Sequence, residues 1–272
     1  MITSSHQDIS DEDIQSVIDV LKSDFLTQGP VTPKFENAVC NYVDVKYGLA
    51  VNSGTSALHL ACLALELGKN DILWTSSITF VASANCGLYC GAQVDFIDID
   101  PSTGNLSVSK LREKLIKAEE QNLLPKIVVA VHLAGFPCEM EKINALSKQY
   151  GFSVIEDASH ALGSKYKNSF VGNCDFSDIT VFSFHPVKPI TTGEGGMVVT
   201  NDKQLIDRMR LLSSHGITRN QKQMTHKSDG SWYYQQIALG FNYRMTDIQA
   251  ALGLSQLDRL DQFLEKRNHI AN

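Results

Sequence analysis

Ile127-Val128-Val129-Ala130-Val131, Met140–Tyr150 and Ser153-Val154-Ile155-Glu156 decide the fold class of this chain. The first run is apolar throughout and short, the pattern of a strand buried on both faces. The second has helical periodicity, and the third is another short strand ending in an acid. A strand, a helix and a strand in succession form a parallel pair with a crossover. Outward from this unit the alternation repeats. Strands are expected at Tyr47–Val51, Ile72–Thr75, Val94–Ile97, Ile179–Phe182 and Met197–Thr200. Helices are expected at Thr55–Leu67, Phe80–Tyr89, Val108–Ala118 and Lys203–Ser213. The pattern predicts an α/β chain whose mostly parallel sheet lies between helices on both faces. Such sheets bind ligands beyond the carboxyl ends of their strands.

Before the sheet, Ser10-Asp11-Glu12-Asp13 opens an amphipathic helix through Leu21, with acids where the helix dipole favours them. Phe25–Pro33 reads as a loop containing Thr27-Gln28-Gly29-Pro30, and Phe35–Val45 as a short helix. His215–Tyr234 is polar and reads as a mobile loop. Met245–His269 reads as one long helix with an apolar face of Ile248, Leu252, Leu257, Leu260 and Leu264. Nothing follows to cover that face, so residues 245–272 are expected to be a linking helix and the start of a largely missing C-terminal domain. Residues 1–24 would be an N-terminal helical segment, and 25–244 the main domain.

An apolar share of 43% and a charged share of 20% are those of an ordinary globular protein. Net charge is −6 with no basic block, which argues against nucleic-acid or anionic-membrane partners. Cys40, Cys62, Cys86, Cys90, Cys138 and Cys174 form no Cys-x-x-Cys pair, which suits free thiols in a reducing compartment. Met1–Asp8 lacks the pattern of a secretion signal, and no apolar run is long enough to span a bilayer. The cytoplasm is the expected location.

Three motifs carry chemistry. Asn52-Ser53-Gly54-Thr55-Ser56-Ala57-Leu58 follows a strand and opens a helix, so its amides and hydroxyls suit a phosphate. Ordinary capping by Ser or Thr accounts for it too, and for the motif taken alone it is the favoured reading. Asp157 lies at a strand end, where it could face a pyridine nitrogen or simply cap a turn. His160, three residues on, could bond Asp157, cover a flat ring, or sit in the core. Lys188 lies in Ser183-Phe184-His185-Pro186-Val187-Lys188-Pro189-Ile190-Thr191-Thr192-Gly193-Glu194-Gly195-Gly196. Most lysines are solvated surface charges. Here apolar and proline neighbours imply partial desolvation, which lowers an amine's pKa and aids imine formation. A lysine amine and an acid on one scaffold are what pyridoxal phosphate (PLP) chemistry requires. Ser183 could donate to the phosphate, and Phe80 could stack on the ring or belong to the core. His132, His160, His185 and His215 are dispersed, without the spacing of a metal site. Neither a P-loop nor a Gly-x-Gly-x-x-Gly fingerprint occurs.

Taken in order, several segments resemble the DegT/StrS sugar aminotransferases. They are Leu26–Pro30, Ser53–Leu58, Thr79–Ala82, Val94–Asp100, Val131–Gly135, Glu156–Ala161, Ser183–Gly196 and Gly240-Phe241-Asn242-Tyr243-Arg244-Met245. The resemblance implies the PLP-dependent transferase fold type I, aspartate-aminotransferase-like, with a large domain and a small C-terminal one. It implies that Lys188 binds the cofactor as a Schiff base and shuttles the proton, that Asp157 pairs with the pyridinium, and that Phe80 and His160 flank the ring. Gly54, Thr55, Ser56 and Ser183 would hold the phosphate. Asn242 would reach the other subunit's cofactor in a homodimer, and Thr27, Gln28 and Gly29 would border a nucleotide-sugar pocket. Asp71–Cys86 and Ser183–Ile190 are most similar to the pseudaminic acid branch. That branch aminates C4 of a UDP-linked 4-keto-6-deoxy-N-acetyl sugar from L-glutamate. A dTDP- or GDP-linked keto sugar, and a PLP-binding protein or fragment without activity, are the alternatives. The family's dehydratase branch carries histidine at the lysine position, so Lys188 argues against it.

Overall fold

The computed structural model describes residues 6–271. Met1–Ser5, the first part of the N-terminal reading, and Asn272, the last residue of the expected C-terminal segment, lie outside the described residues. The chain opens with helices α1 (Asp11–Leu21) and α2 (Val31–Val43) and strand β1 (Tyr47–Val51). There follow α3 (Gly54–Ala64), β2 (Ile72–Ser76), α4 (Ala82–Tyr89), β3 (Gln93–Ile97), α5 (Val108–Gln121) and β4 (Ile127–Val131). Next come α6 (Met140–Tyr150), β5 (Ser153–Asp157), and a hairpin of β6 (Lys165–Tyr166) and β7 (Ser169–Phe170). Strands β8 (Ile179–Ser183) and β9 (Gly196–Thr200) lead to α7 (Lys203–Ser213). A second two-stranded pair joins β10 (Ile217–Thr218) to β11 (Gln235–Gln236), and α8 (Asp247–Leu257) and α9 (Leu260–Ala271) end the chain.

Seven strands form one sheet in the order β1-β9-β8-β5-β4-β2-β3. All neighbours are parallel except where β9 runs antiparallel to both β8 and β1. β4 is buried at every position. Its Ile127, Val129 and Val131 join the core under α3, α4 and α7, while Val128 and Ala130 join the core under α5 and α6. This two-sided burial is why the run carries no polar residue. A third cluster packs Phe35 and Val39 of α2, Phe182 of β8 and Met197 of β9 against α8.

Caps set the helix ends. Ser107 and Asp202 cap α5 and α7, with Asp202 Oδ1 accepting from Gln204 N at 2.6 Å. Gly151, at φ +78°, ends α6 in the left-handed conformation. α2 begins at Val31 rather than near Phe35, since Pro33 is tolerated in a first turn and Asp247 accepts from the Val31 amide at 3.1 Å. α4 begins at Ala82, leaving Phe80 in the preceding turn. His215–Tyr234 is not uniformly a loop: β10 pairs with β11, and Gln235 Oε1 accepts from Thr225 N at 2.8 Å.

The single helix expected over Met245–His269 is two helices, broken at Asp258-Arg259. A tertiary contact overrides the local propensity there. Arg259 Nη2 meets Asp13 Oδ2 at 2.5 Å, and the Arg259 amide turns back to Gln256 O at 3.1 Å. Nor is the apolar face bare, because Leu257 and Leu260 are buried in the cluster beneath α2. Among the described residues no helix is long and apolar enough to cross a membrane, and no group of His, Cys, Asp or Glu could hold a metal ion.

Candidate active site

Three chain segments meet at the carboxyl ends of β5 and β8 and at the start of α3. Ser53 caps α3, its Oγ accepting from Ser56 N at 3.0 Å. Helix geometry leaves the first-turn amides of Gly54 and Thr55 without intrahelical acceptors. β9 crosses directly behind them, with Val51 in register with Gly196. A Cβ at Gly196 would lie 2.6 Å from Gly54 N and from Ser53 C and O, so only glycine admits this approach. A Cβ on Gly54 would in turn meet Ser183 Cβ at 3.0 Å.

The cleft so formed has a volume of about 500 Å3. Gly54, Thr55, Phe80, Asp157, His160, Ser183 and Lys188, seven of the residues singled out from sequence, all line it. Thr79, Leu133, Ser159, His185 and Glu194 line it too. Ser56 does not. It is buried under the cap, its amide and hydroxyl both turned to Ser53 Oγ at 3.0 Å. Asn242 is exposed outside the cleft, its backbone bridged to Ser214. Thr27, Gln28 and Gly29 also lie outside it, because Thr27 bridges Thr246 and a Cβ on Gly29 would strike Asp247 Oδ2 at 2.4 Å.

Asp157 ends β5 and is 5% exposed. Two hydroxyls hold its carboxylate. Ser83 Oγ of α4 donates to Oδ2 at 2.6 Å, and Ser159 Oγ donates to Oδ1 at 2.6 Å, with Ser159 N at 3.2 Å. Thr79 and Ser83 hydroxyls lie 2.8 Å apart, extending the chain toward Phe80. Each oxygen is thus fixed by a hydroxyl.

Lys188 sits half-buried in a turn after β8. Its amide donates to His185 O at 2.9 Å, and Arg267 Nη2 of α9 donates to its carbonyl at 3.0 Å. The Thr191 hydroxyl and the Thr192 amide both donate to Phe184 O at 3.0 Å, closing the loop around it. Partial burial lowers the Lys188 amine from its ordinary value against the pull of Asp157. Partial burial and the Lys188 cation likewise lower His160, again opposed by Asp157. The amine, the imidazole and the carboxylate therefore share one field. Phe80, 72% exposed, presents its ring at the rim.

Sequence reading missed Ser83 and Ser159 as holders of Asp157. It also missed a buried pair behind it, in which His132 Nε2 lies 2.8 Å from Glu156 Oε2. Ser159 stands two residues from Asp157, the spacing of a local side-chain bond, but Ser83 comes from another helix and left no local signal.

A mixed sheet that brings a lysine amine, a buried carboxylate and a capped helix start into one cleft has the layout of a PLP-type α/β enzyme. The chain belongs to the DegT/DnrJ/EryC1/StrS aminotransferase family, which matches residues 7–272. Aminotransferases of this family are PLP-dependent. The chain is 45% identical over 272 residues to a UDP-4-amino-4,6-dideoxy-N-acetyl-beta-L-altrosamine transaminase of Campylobacter jejuni strain 81-176, covering 100% of this chain and 68% of that protein. Among solved structures it is similar to Helicobacter pylori PseC, an aminotransferase of pseudoaminic acid biosynthesis (TM-score 0.84, 39% identity, 95% of this chain, 66% of that one). It is also similar to the sugar aminotransferase Spr1654 of Streptococcus pneumoniae in its PMP form (TM-score 0.87, 30% identity, 100% of this chain, 71% of that one). The chain thus spans about two thirds of the length of these relatives.

Proposed function

We propose that this protein is a PLP-dependent aminotransferase that moves an amino group from L-glutamate to C4 of a UDP-linked 4-keto-6-deoxy-N-acetyl sugar. One observation carries the reaction type: the Lys188 amine and the Asp157 carboxylate line a single cleft with the start of α3. The substrate follows from likeness to the Campylobacter and Helicobacter proteins.

The donor set fits the cofactor. The α3 amides and the Thr55 and Ser183 hydroxyls suit a phosphate dianion, and the missing side chains of Gly54 and Gly196 let Ser183 and β9 pack directly against the start of α3. Ser56 contributes by holding the cap. When bound, PLP supplies an electron sink for the carbon next to the transferred nitrogen. Asp157 would keep the ring nitrogen protonated, its own oxygens fixed by Ser83 and Ser159. Phe80 and His160 would flank the ring and exclude water. Lys188 would hold the cofactor through Nζ and, once released, carry the proton between carbons at that same atom. Its lowered pKa leaves more of it as free amine near neutrality, as both tasks require.

The same reading makes the protein a homodimer. Asn242 lies outside its own cleft and would serve that of a second copy, and Thr27-Gln28-Gly29 would border the sugar nucleotide. All six cysteines are free thiols, which supports a reducing, cytoplasmic setting. A GDP-perosamine synthase of Escherichia coli O157:H7 is 42% identical over 246 residues, so GDP-linked sugars are the competing substrates.

Borohydride reduction in the presence of PLP, followed by peptide mapping, is expected to label Lys188. The label should appear with a pH midpoint below that of an ordinary lysine, because deprotonation governs the attack. A label on another lysine would sink the assignment. Amination of UDP-, dTDP- and GDP-linked 4-keto sugars, with product regiochemistry read by NMR, then decides the substrate.

A further inference from the structure

Behind Asp157 lies a second buried carboxylate that the reaction described above leaves unused. Side chains alternate along a strand, so Glu156 points to the face of β5 opposite Asp157. It is 5% exposed. Its Oε1 accepts from Ser177 Oγ at 2.5 Å and Thr180 Oγ1 at 3.1 Å, and its Oε2 lies 2.8 Å from His132 Nε2. Burial would raise the Glu156 carboxyl, and the hydrogen bonds from His132, Ser177 and Thr180 work against it. His132 is itself fully buried at the exit of β4, and its main-chain amide donates to Asp157 O at 3.1 Å.

The charge of this pair turns on one contact. Burial opposes a cationic His132 ring, but the Cys138 and Glu156 contacts outweigh it and would raise a ring free to take a second proton to about 10. The Cys138 backbone amide donates to His132 Nδ1 at 3.1 Å. An amide N–H donates only to a ring nitrogen that bears a lone pair. Nδ1 is therefore unprotonated, Nε2 carries the proton and gives it to Glu156 as a hydrogen bond, and the ring is neutral. The negative charge of Glu156 is then solvated by three donors but cancelled by none.

We propose that Glu156 is a positioning residue, a second fixed negative charge beneath Asp157 that helps keep the proton on the ring nitrogen of the bound cofactor, and that neutral His132 anchors both acids. His132 does so twice, through its ring to Glu156 and through its amide to the Asp157 carbonyl. Neither residue lines the cleft, so neither touches substrate. The inference rests on the reading that PLP binds with its ring nitrogen toward Asp157. At an effective dielectric of about 20, a buried charge that alters the ring-nitrogen pKa by about one unit changes its proton affinity tenfold.

The test uses holoenzyme loaded with PLP labelled with 15N at the ring nitrogen. Glu156→Gln has the same shape and keeps an acceptor for Ser177. With thermal stability close to wild type, its ring-nitrogen signal is expected to move toward the unprotonated position at matched pH, by the amount a roughly tenfold loss of proton affinity produces. An unchanged signal in a folded, PLP-loaded variant overturns the inference alone. A wild-type protein that takes up no PLP overturns the functional reading with it. Should Glu156→Gln fail to fold, 15N spectra of the wild-type histidines decide. A neutral His132 protonated only at Nε2 supports the proposal, and two protonated nitrogens at neutral pH overturn it.

Discussion

Replacing Asp13 with asparagine removes one charge from the contact that breaks the C-terminal helix in two. Asp13 is fully buried and accepts from Ser10 N at 2.9 Å, Ser255 Oγ at 2.6 Å, Gln256 Nε2 at 2.7 Å and Arg259 Nη2 at 2.5 Å. Asparagine keeps the shape but turns an NH2 group toward donors and leaves Arg259 with Asp8 alone as its acidic partner. Breaking a buried pair costs about 3–5 kcal/mol. The Arg259 side chain is 23% exposed and retains Asp8 at 3.2 Å, so the lower figure, about 3 kcal/mol, is expected. For 272 residues the unfolding entropy is about 0.6 kcal/mol/K, which makes this a fall in Tm of about 5 °C. The pH dependence is the sharper check. Burial would raise the Asp13 carboxyl, but its hydrogen bonds and the Arg259 charge hold it below the ordinary 3.8. A depressed carboxyl stabilises the fold above its unfolded pKa, and that contribution is lost as pH falls through the folded one. Because asparagine resembles the protonated acid, the gap between wild type and Asp13→Asn should narrow below about pH 5. Denaturant melts across pH 7 to pH 4 measure it. A gap under about 1 kcal/mol at pH 7, or one that widens in acid, would refute the reasoning.

Asp157→Asn should still take up PLP, read by absorbance, yet lose about 10²–10⁴ in kcat, because a neutral partner no longer favours the ring-nitrogen proton. Near-normal turnover would remove Asp157 from its proposed role. Gly196→Ala forces a methyl against the backbone of Ser53 and Gly54, which cannot swing aside. It should destabilise the fold by about 1–3 kcal/mol, seen in denaturant melts, and weaken PLP retention more than Gly68→Ala, where the added carbon meets nothing nearer than Asp71 Oδ2 at 3.9 Å. Equal PLP retention in the two variants would count against the cradle.

Where short-range chemistry rules, the sequence was legible to the residue. Ile127–Val131 is apolar at every position because both faces are covered, and Met140–Tyr150 and Lys203–Ser213 are bounded by Gly151 and Asp202. Seven candidate site residues converge on the cleft because strand ends and the α3 cap are local features. What stayed hidden depends on distant partners. The break at Arg259 needs Asp13, and the grip on Asp157 needs Ser83 from another helix. The neutrality of His132 needs an amide that only folding brings to Nδ1. Thr27–Gly29 and Asn242 carry no signal of their own that says which cleft they serve.

The antiparallel placement of β9 has a consequence for how the chain is made. Among the described residues β1 pairs with β9 and no other strand, and the backbone of Gly196 closes the space behind Gly54. A nascent chain therefore carries the helix start at Ser53 without β9 behind it until Gly196–Thr200 have emerged, about 140 residues later. The pairing is long in sequence separation and slow to form. A phosphate held at the start of α3 would then be captured late in folding, once a strand that begins eight residues after Lys188 has paired.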